Sequence, residues 1–151
     1  VATTLAAPVA GELVALADIS DKVFASGALG AGVGVIPSES TITAPISGKV
    51  VPAFPTGHAF GIKSEDGVEV LVHIGIDTVA MKGDGFQAAV TAGQQVKAGD
   101  TLAVVDFDKV KAAGYDTTTI VVVTNTKKLT KVTPAAAGPV SAGAEAIVVE
   151  V

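Results

Sequence analysis

Along this chain, short apolar runs alternate with polar and glycine-rich breaks. GELVAL (11–16), GKVV (48–51), VEVLVHIGI (68–76), DTLAVVDF (100–107), TTTIVVVT (117–124) and AIVVEV (146–151) are brief, rich in valine and bounded by Gly, Pro, Asp or Ser. β-Branched side chains suit a pleated sheet, and turn formers at close intervals keep each strand short. The pattern predicts an all-β fold: an antiparallel sandwich, or barrel-sandwich hybrid, of many short strands. Helix is confined to two brief pieces. SDKVFASG (20–27) has Ser20 or Asp21 as cap and Gly27 as stop, and DFDKVKAAG (106–114) has Asp106 or Asp108 as cap and Gly114 as stop.

APVAGELV (7–14) is echoed by APISGKVV (44–51), which predicts internal pseudo-symmetry between two strand-turn units. The glycines at 27, 30, 32 and 34 read as tight turns rather than a nucleotide loop, because no long helix follows them. TPAAAGPVSAG (133–143) reads as a loop before the last strand.

Alternation then locates candidate chemistry. In a strand over 68–77, Val68, Val70, Val72, Ile74 and Ile76 fall on one face, while Glu69, Leu71, His73, Gly75 and Asp77 fall on the other. His73 therefore points away from the core, beside a glycine that leaves room for an approaching group. Upstream, Phe54, Thr56, His58 and Phe60 share a parity. A lone histidine on an outer face is ordinarily just solvated. Two imidazoles and a hydroxyl converging from neighbouring strands make a site. A neutral imidazole offers one basic nitrogen as nucleophile while the other donates a hydrogen bond. Such a group can attack phosphorus, and a second imidazole and hydroxyl can hydrogen-bond the oxygens of the phosphoryl group in transfer.

Composition narrows the partners. All ten basic residues are lysines, against fifteen carboxylates, and the net charge is −5. Without a guanidinium fork, nucleic acid is not an expected ligand and a basic protein partner is. With no cysteine there is neither a disulfide framework nor a thiolate nucleophile, which fits a reducing, cytoplasmic setting. The least polar long segment, 24–38, is too short for a bilayer and is broken by glycines and a proline, and no secretory signal opens the chain. A length of 151 residues suits one domain spanning 1–151, and a start at Val fits a trimmed product or a domain of a longer protein.

VFASGALGAGVGVIPS (23–38), APISGKVV, FPTGHAFGI (54–62), VEVLVHIGIDTVAMKGDGF (68–86), VKAGDTLAVVDFDKV (96–110) and IVVVTN (120–125) resemble, in order and spacing, the glucose-type enzyme IIA (IIA-Glc family) of the bacterial phosphoenolpyruvate-dependent sugar phosphotransferase system. The likeness covers nearly the whole chain, and TGHAFGI with VHIGIDTV is its most specific part. It implies a phosphotransferase component with a phosphohistidine intermediate, either stand-alone or part of a fused permease. His73 matches the histidine phosphorylated by the phosphocarrier HPr, His58 its non-phosphorylated partner, and Thr56 the hydroxyl that holds His58. Gly75 and Asp77 are supporting residues. Val23, Phe24, Leu29, Phe54, Leu71 and Val79 match an apolar docking patch, with Asp21 and Asp77 facing a basic rim on HPr. The phosphate then passes to a IIB domain of a sugar permease, which is the only link to the membrane.

The same resemblance implies regulatory target proteins for the unphosphorylated form. It requires no cofactor and no metal, although His58 and His73 are candidate ligands for a zinc shared with a partner. Gly30-Ala31-Gly32, where many relatives carry Gly-Asp-Gly, and Leu71, where others often carry Phe, bear on partner preference.

Two other classes compete. His73 and Asp77 have the H-x-x-x-D spacing of a zinc-dependent endopeptidase of a related fold, but with two histidines in all the chain lacks an H-x-H element. APISGKVV and 96–110 are also similar to biotinyl and lipoyl carriers, with Lys109 near the modified position, yet Asp108-Lys109-Val110 reads more simply as helix. Lys127, Lys128 and Lys131 read as a solvated loop.

Overall fold

A computed structural model describes residues 2–151. In chain order its strands are β1 (Ala2–Ala6), β2 (Gly11–Ala15), β3 (Ala31–Pro37), β4 (Thr41–Thr43), β5 (Gly48–Ala53), β6 (Ala59–Lys63), β7 (Glu69–Ile74), β8 (Phe86–Ala88), β9 (Gln95–Val96), β10 (Thr101–Val105), β11 (Thr119–Val123), β12 (Lys131–Pro134), β13 (Gly138–Val140) and β14 (Glu145–Glu150). An eight-stranded sheet in the order β13-β2-β3-β11-β7-β6-β5-β9 packs with two three-stranded sheets, β1-β14-β12 and β4-β10-β8. Every pairing is antiparallel. The all-β, sandwich-like expectation holds.

The main core joins all three sheets through side chains such as Leu5, Leu13, Val35, Ile42, Phe60, Val72, Leu102 and Ile147. Each such side chain contributes about 1.5–3 kcal/mol by leaving water. A second cluster of Ile19, Phe24, Ile76, Ile120 and Val122 lies on the opposite face of the large sheet. β11 is buried on both faces, its odd residues in one cluster and its even residues in the other, which explains the absence of polar alternation in TTTIVVVT. Helix α1 (Lys22–Ala25) covers this outer face through Phe24, and α2 (Phe107–Ala112) inserts Val110 into the main core. Of the candidate caps, Asp21 and Asp106 are the ones whose carboxylates accept from the first-turn N–H groups.

The residue preceding each echoed segment bonds to the proline of the other. Ala6 N–H donates to Pro45 O and Thr43 N–H to Pro8 O, both at 2.8 Å. The symmetry extends further than the echo: Ala7 N–H donates to Ala144 O, Ala44 N–H to Asp100 O, Gly143 N–H to Ala7 O and Gly99 N–H to Ala44 O.

Three expectations need correction. Gly32 and Gly34 do not form turns but lie within β3: a Cβ on Gly32 would sit 1.9 Å from Val121 O, so it lets β11 approach, and Gly34 leaves room for the side chains of Ile19, Thr118 and Val14, while Gly27 and Gly30 do turn the chain. The 133–143 stretch contains β13, an edge strand paired to β2. Pro139 is tolerated there because an edge strand has one side with no ladder to supply. Ile76 leaves the stripe of Val68, Val70, Val72 and Ile74 and joins the second cluster, because β7 ends at Ile74 and Gly75 turns at φ +76°. No helix among the described residues is long and apolar enough to cross a membrane.

Candidate functional site

β7 lies between β11 and β6, in a register that pairs His73 with Ile120 on one side and Ala59 on the other. Because Val72 and Ile74 point into the main core, His73 and Leu71 project from the outer face, as alternation predicts. His58 reaches the same place by another route. Phe60, paired with Val72, is fully buried in the main core, so His58 and Phe60 do not share the face that a continuous strand would give them. A turn closed by Gly57 N–H to Phe54 O, with Gly57 at φ +72°, breaks the alternation just before β6 begins. Ile74 N–H then donates to His58 O at 2.7 Å, which fixes this residue beside the end of β7.

The two imidazole centres are 5.3 Å apart and nearly perpendicular, at 81°. Phe24 lies 5.3 Å from the His73 ring and Phe54 5.4 Å from that of His58, giving a row of four rings. His58 is only 2% exposed and His73 is half-buried. Of the expected patch, Val23, Leu29, Phe54 and Val79 are exposed, Leu71 is half-buried and Phe24 is buried. The structure thus brings together both histidines, Thr56, Phe24 and Phe54, with Leu71 packed against the cluster that holds Phe24.

The hydrogen bonds define one tautomer. His73 Nδ1 lies 2.7 Å from Gly75 O, and since a carbonyl only accepts, Nδ1 carries the proton and Nε2 keeps a lone pair. Gly75 can aim that carbonyl because it has no side chain; a Cβ there would lie 2.4 Å from Thr78 Cγ2, and the φ is left-handed. Thr78 is itself held by its hydroxyl donating to Ile74 O. His58 Nδ1 contacts Thr56 Oγ1 at 2.5 Å, where either group can donate.

Burial pushes the His73 pKa down; the Gly75 hydrogen bond and the charges of Asp21 and Asp77 oppose it without reversing it. Burial, and then the charge of a protonated His73, push His58 down as well. Both rings therefore favour the neutral form near neutral pH. Asp21 uses Oδ1 to cap α1 at Val23 and Phe24, so this carboxylate also holds Phe24 against the ring. Asp77 is exposed, adopts φ +61° and makes no capping bond to the turn that follows it.

Among the described residues no group of three or more His, Cys, Asp or Glu is arranged to hold a metal ion, so the endopeptidase reading has no ligand set behind it. Lys109 belongs to α2 and pairs with Asp84 at 2.9 Å, not with the exposed hairpin a carrier domain needs. Lys127, Lys128 and Lys131 are exposed, as expected, but Lys131 opens β12 rather than lying in a loop. What the sequence reading missed is the support behind His73: the Gly75 carbonyl as acceptor, Thr78, and the contacts of Asp116 and Thr118 to the Gly75–Ile76 backbone. The first two are local but depend on the turn that Gly75 makes, and the last two reach across to the loop before β11, so no strand alternation signals them.

Comparison with known proteins adds an independent line. The family model described as phosphoenolpyruvate-dependent sugar phosphotransferase system, EIIA 1, matches residues 3–129. The chain is 42% identical over 142 residues to the glucose-specific EIIA component of Halalkalibacterium halodurans, covering 94% of this chain and 82% of that protein. It is 43% identical over 141 residues to the β-glucoside-specific EIIBCA component of Dickeya chrysanthemi, covering 93% of this chain. It is 50% identical over 115 residues, 76% of its length, to the glucose-specific EIICBA component of Streptococcus pneumoniae. The chain spans 22% and 16% of the length of these last two multidomain relatives. Among solved structures, glucose permease IIA from Mycoplasma capricolum superposes with a TM-score of 0.88 at 38% identity, covering 98% of this chain and 96% of that one.

Proposed function

The chain belongs to the EIIA 1 family of the phosphoenolpyruvate-dependent sugar phosphotransferase system, and from that membership we propose that His73 is its phosphoryl acceptor and His58 the group that steadies the transfer. The observation that carries this reading is the 2.7 Å contact of His73 Nδ1 with Gly75 O, an acceptor that calls for the ring proton on Nδ1 and so leaves Nε2 as the basic nitrogen beside a second imidazole. In the forward step the Nε2 lone pair attacks the phosphorus of phosphohistidine on HPr. The new P–N bond forms as the donor's P–N bond breaks, and the electron pair returns to the HPr imidazole.

In this reading Thr56 is the donor of its 2.5 Å contact with His58 Nδ1, which puts the His58 proton on Nε2, where it is offered to a phosphoryl oxygen. Phe24, Phe54, Val23, Leu29, Leu71 and Val79 form the apolar seat on which HPr and then a IIB domain dock, keeping water from a labile P–N bond. Asp21 and Asp77 meet cationic groups on HPr at its rim. In the second step a thiolate of the IIB domain takes the phosphoryl group from His73 and passes it to an imported sugar. Residues 1–151 act here as one cytoplasmic IIA domain, free-standing or within a fused permease, and the same seat serves regulatory targets when unphosphorylated.

Incubation with phosphoenolpyruvate, enzyme I and HPr tests the reading. Wild type takes up acid-labile phosphate and His73→Ala takes up none. His58→Gln still accepts phosphate but passes it on poorly. Full labelling of His73→Ala overturns the assignment.

A further inference from the structure

The acceptor that fixes the His73 proton belongs to a longer hydrogen-bonded chain. The Gly75–Ile76 peptide is a rigid plane whose carbonyl and N–H point in opposite directions. Its carbonyl accepts from His73 Nδ1 at 2.7 Å, and its N–H donates to the backbone carbonyl of Asp116 at 3.0 Å. Gly75 N–H donates to Thr118 O at 3.1 Å. The loop carbonyls that receive these bonds are themselves held. Asp116 Oδ1 accepts from Thr118 N–H at 2.9 Å and from Thr118 Oγ1–H at 2.7 Å, closing an Asx turn that sets the direction of the backbone at 116–118. Asp116 Oδ2 accepts from Ser20 Oγ at 3.1 Å, next to the residue that caps α1. One carboxylate therefore joins the turn behind Nδ1 to the element whose Phe24 covers the ring. Partial burial pushes the Asp116 pKa up, but the hydrogen bonds from Thr118 and Ser20 outweigh it, so the group is a carboxylate at neutral pH.

We propose that Asp116 is a positioning residue for His73: it aims the Gly75 carbonyl so that the ring proton stays on Nδ1 and the lone pair on Nε2. It touches no phosphoryl group and acts only through the intervening peptide. Its functional meaning rests on the reading of His73 as phosphoryl acceptor, whereas its structural consequence does not.

The test is nitrogen-15 imidazole spectroscopy above neutral pH, combined with the rate of phosphorylation by phospho-HPr. Wild-type His73 is expected as the Nδ1–H tautomer. Asp116→Asn, whose side-chain oxygen still closes the turn, keeps that tautomer and a rate within about twofold, while Asp116→Ala gives mixed tautomers and a rate lower by about tenfold or more. The KM for phospho-HPr changes less than the rate in Asp116→Ala, because α1 loses only its Ser20 contact and keeps its Asp21 cap and the packing of Phe24. If Asp116→Ala fails to fold, Ser20→Ala and Thr118→Val each strip contacts from the carboxylate and shift the tautomer ratio in the same direction. A wild-type His73 protonated on Nε2, or an unchanged tautomer and rate in the variants, overturns the proposal. A wild type that takes up no phosphate, with the tautomer still shifting in Asp116→Ala, sinks the relay reading and leaves the positioning role standing.

Discussion

His73 and His58 each have a pKa below the ordinary histidine value of 6.5, chiefly because burial disfavours the charged ring. The sign of the consequence follows from linkage. As pH falls through 6.5, the unfolded chain takes up protons that the folded chain still refuses, so the two rings contribute stability in full above 6.5 and lose it as pH falls through their lower folded values. The carboxylates of Asp66 and Asp116, lowered from 3.8, add a separate loss only in stronger acid. Thermal melts between about pH 5 and 7.5 should therefore show a falling Tm on the acid side that flattens in His58→Gln, and proton NMR should titrate both rings below 6.5. Phosphate acceptance should stay level above 6.5 and drop only as Nε2 is protonated. A His73 titrating at or above that value contradicts the burial argument. At this scale His73 was legible because β7 alternates regularly from Glu69 to Ile74. The parities of Ile76 and His58 were not, because glycines in the left-handed region stop the two-residue period where the site begins.

At the scale of the element, α1 has four residues, too few to persist without its cap and its packing. Asp21 provides the cap and Phe24 the packing, so the carboxylate expected to face HPr also builds the wall beside His73. Two substitutions separate these roles. Asp21→Asn preserves a good cap, so stability should hold while association with HPr slows and loses part of its salt dependence. Asp21→Ala loses both, with about 1 kcal/mol of stability gone. Denaturant melts and stopped-flow association at two ionic strengths read the difference; equal association rates for Asp21→Asn and wild type would leave the carboxylate with only its capping job. Both short helices were legible from a capping aspartate, an apolar residue and a closing glycine, all within a few positions. β13 was not, since GPV carries a proline and only its non-local pairing with β2 makes it a strand.

For the whole molecule, the pseudo-symmetric bonding of the echoed segments and the double burial of β11 make a rigid floor, and the site is what lies exposed on its outer face. Core and surface apolar residues should then respond in opposite ways. Phe60 is a fully buried residue of the β6–β7 hairpin that positions both histidines, and its truncation to Ala leaves a cavity costing about 3–5 kcal/mol. Leu29 and Val79 are 39% and 54% exposed with nothing described covering them, so Leu29→Ser and Val79→Ser should leave the melt within about 0.5 kcal/mol of wild type. If the proposed docking role is right, the rate of phosphoryl acceptance at low HPr concentration should fall, while the rate at saturating HPr changes little, because the rings packed on the histidines are those of Phe24 and Phe54. Phe60→Ala should show the reverse order, an early melt with near-normal acceptance at temperatures where it remains folded. If Leu29→Ser and Val79→Ser destabilise the fold and leave HPr kinetics untouched, the exposed side chains are part of the core's margin and the docking seat must lie elsewhere on the molecule.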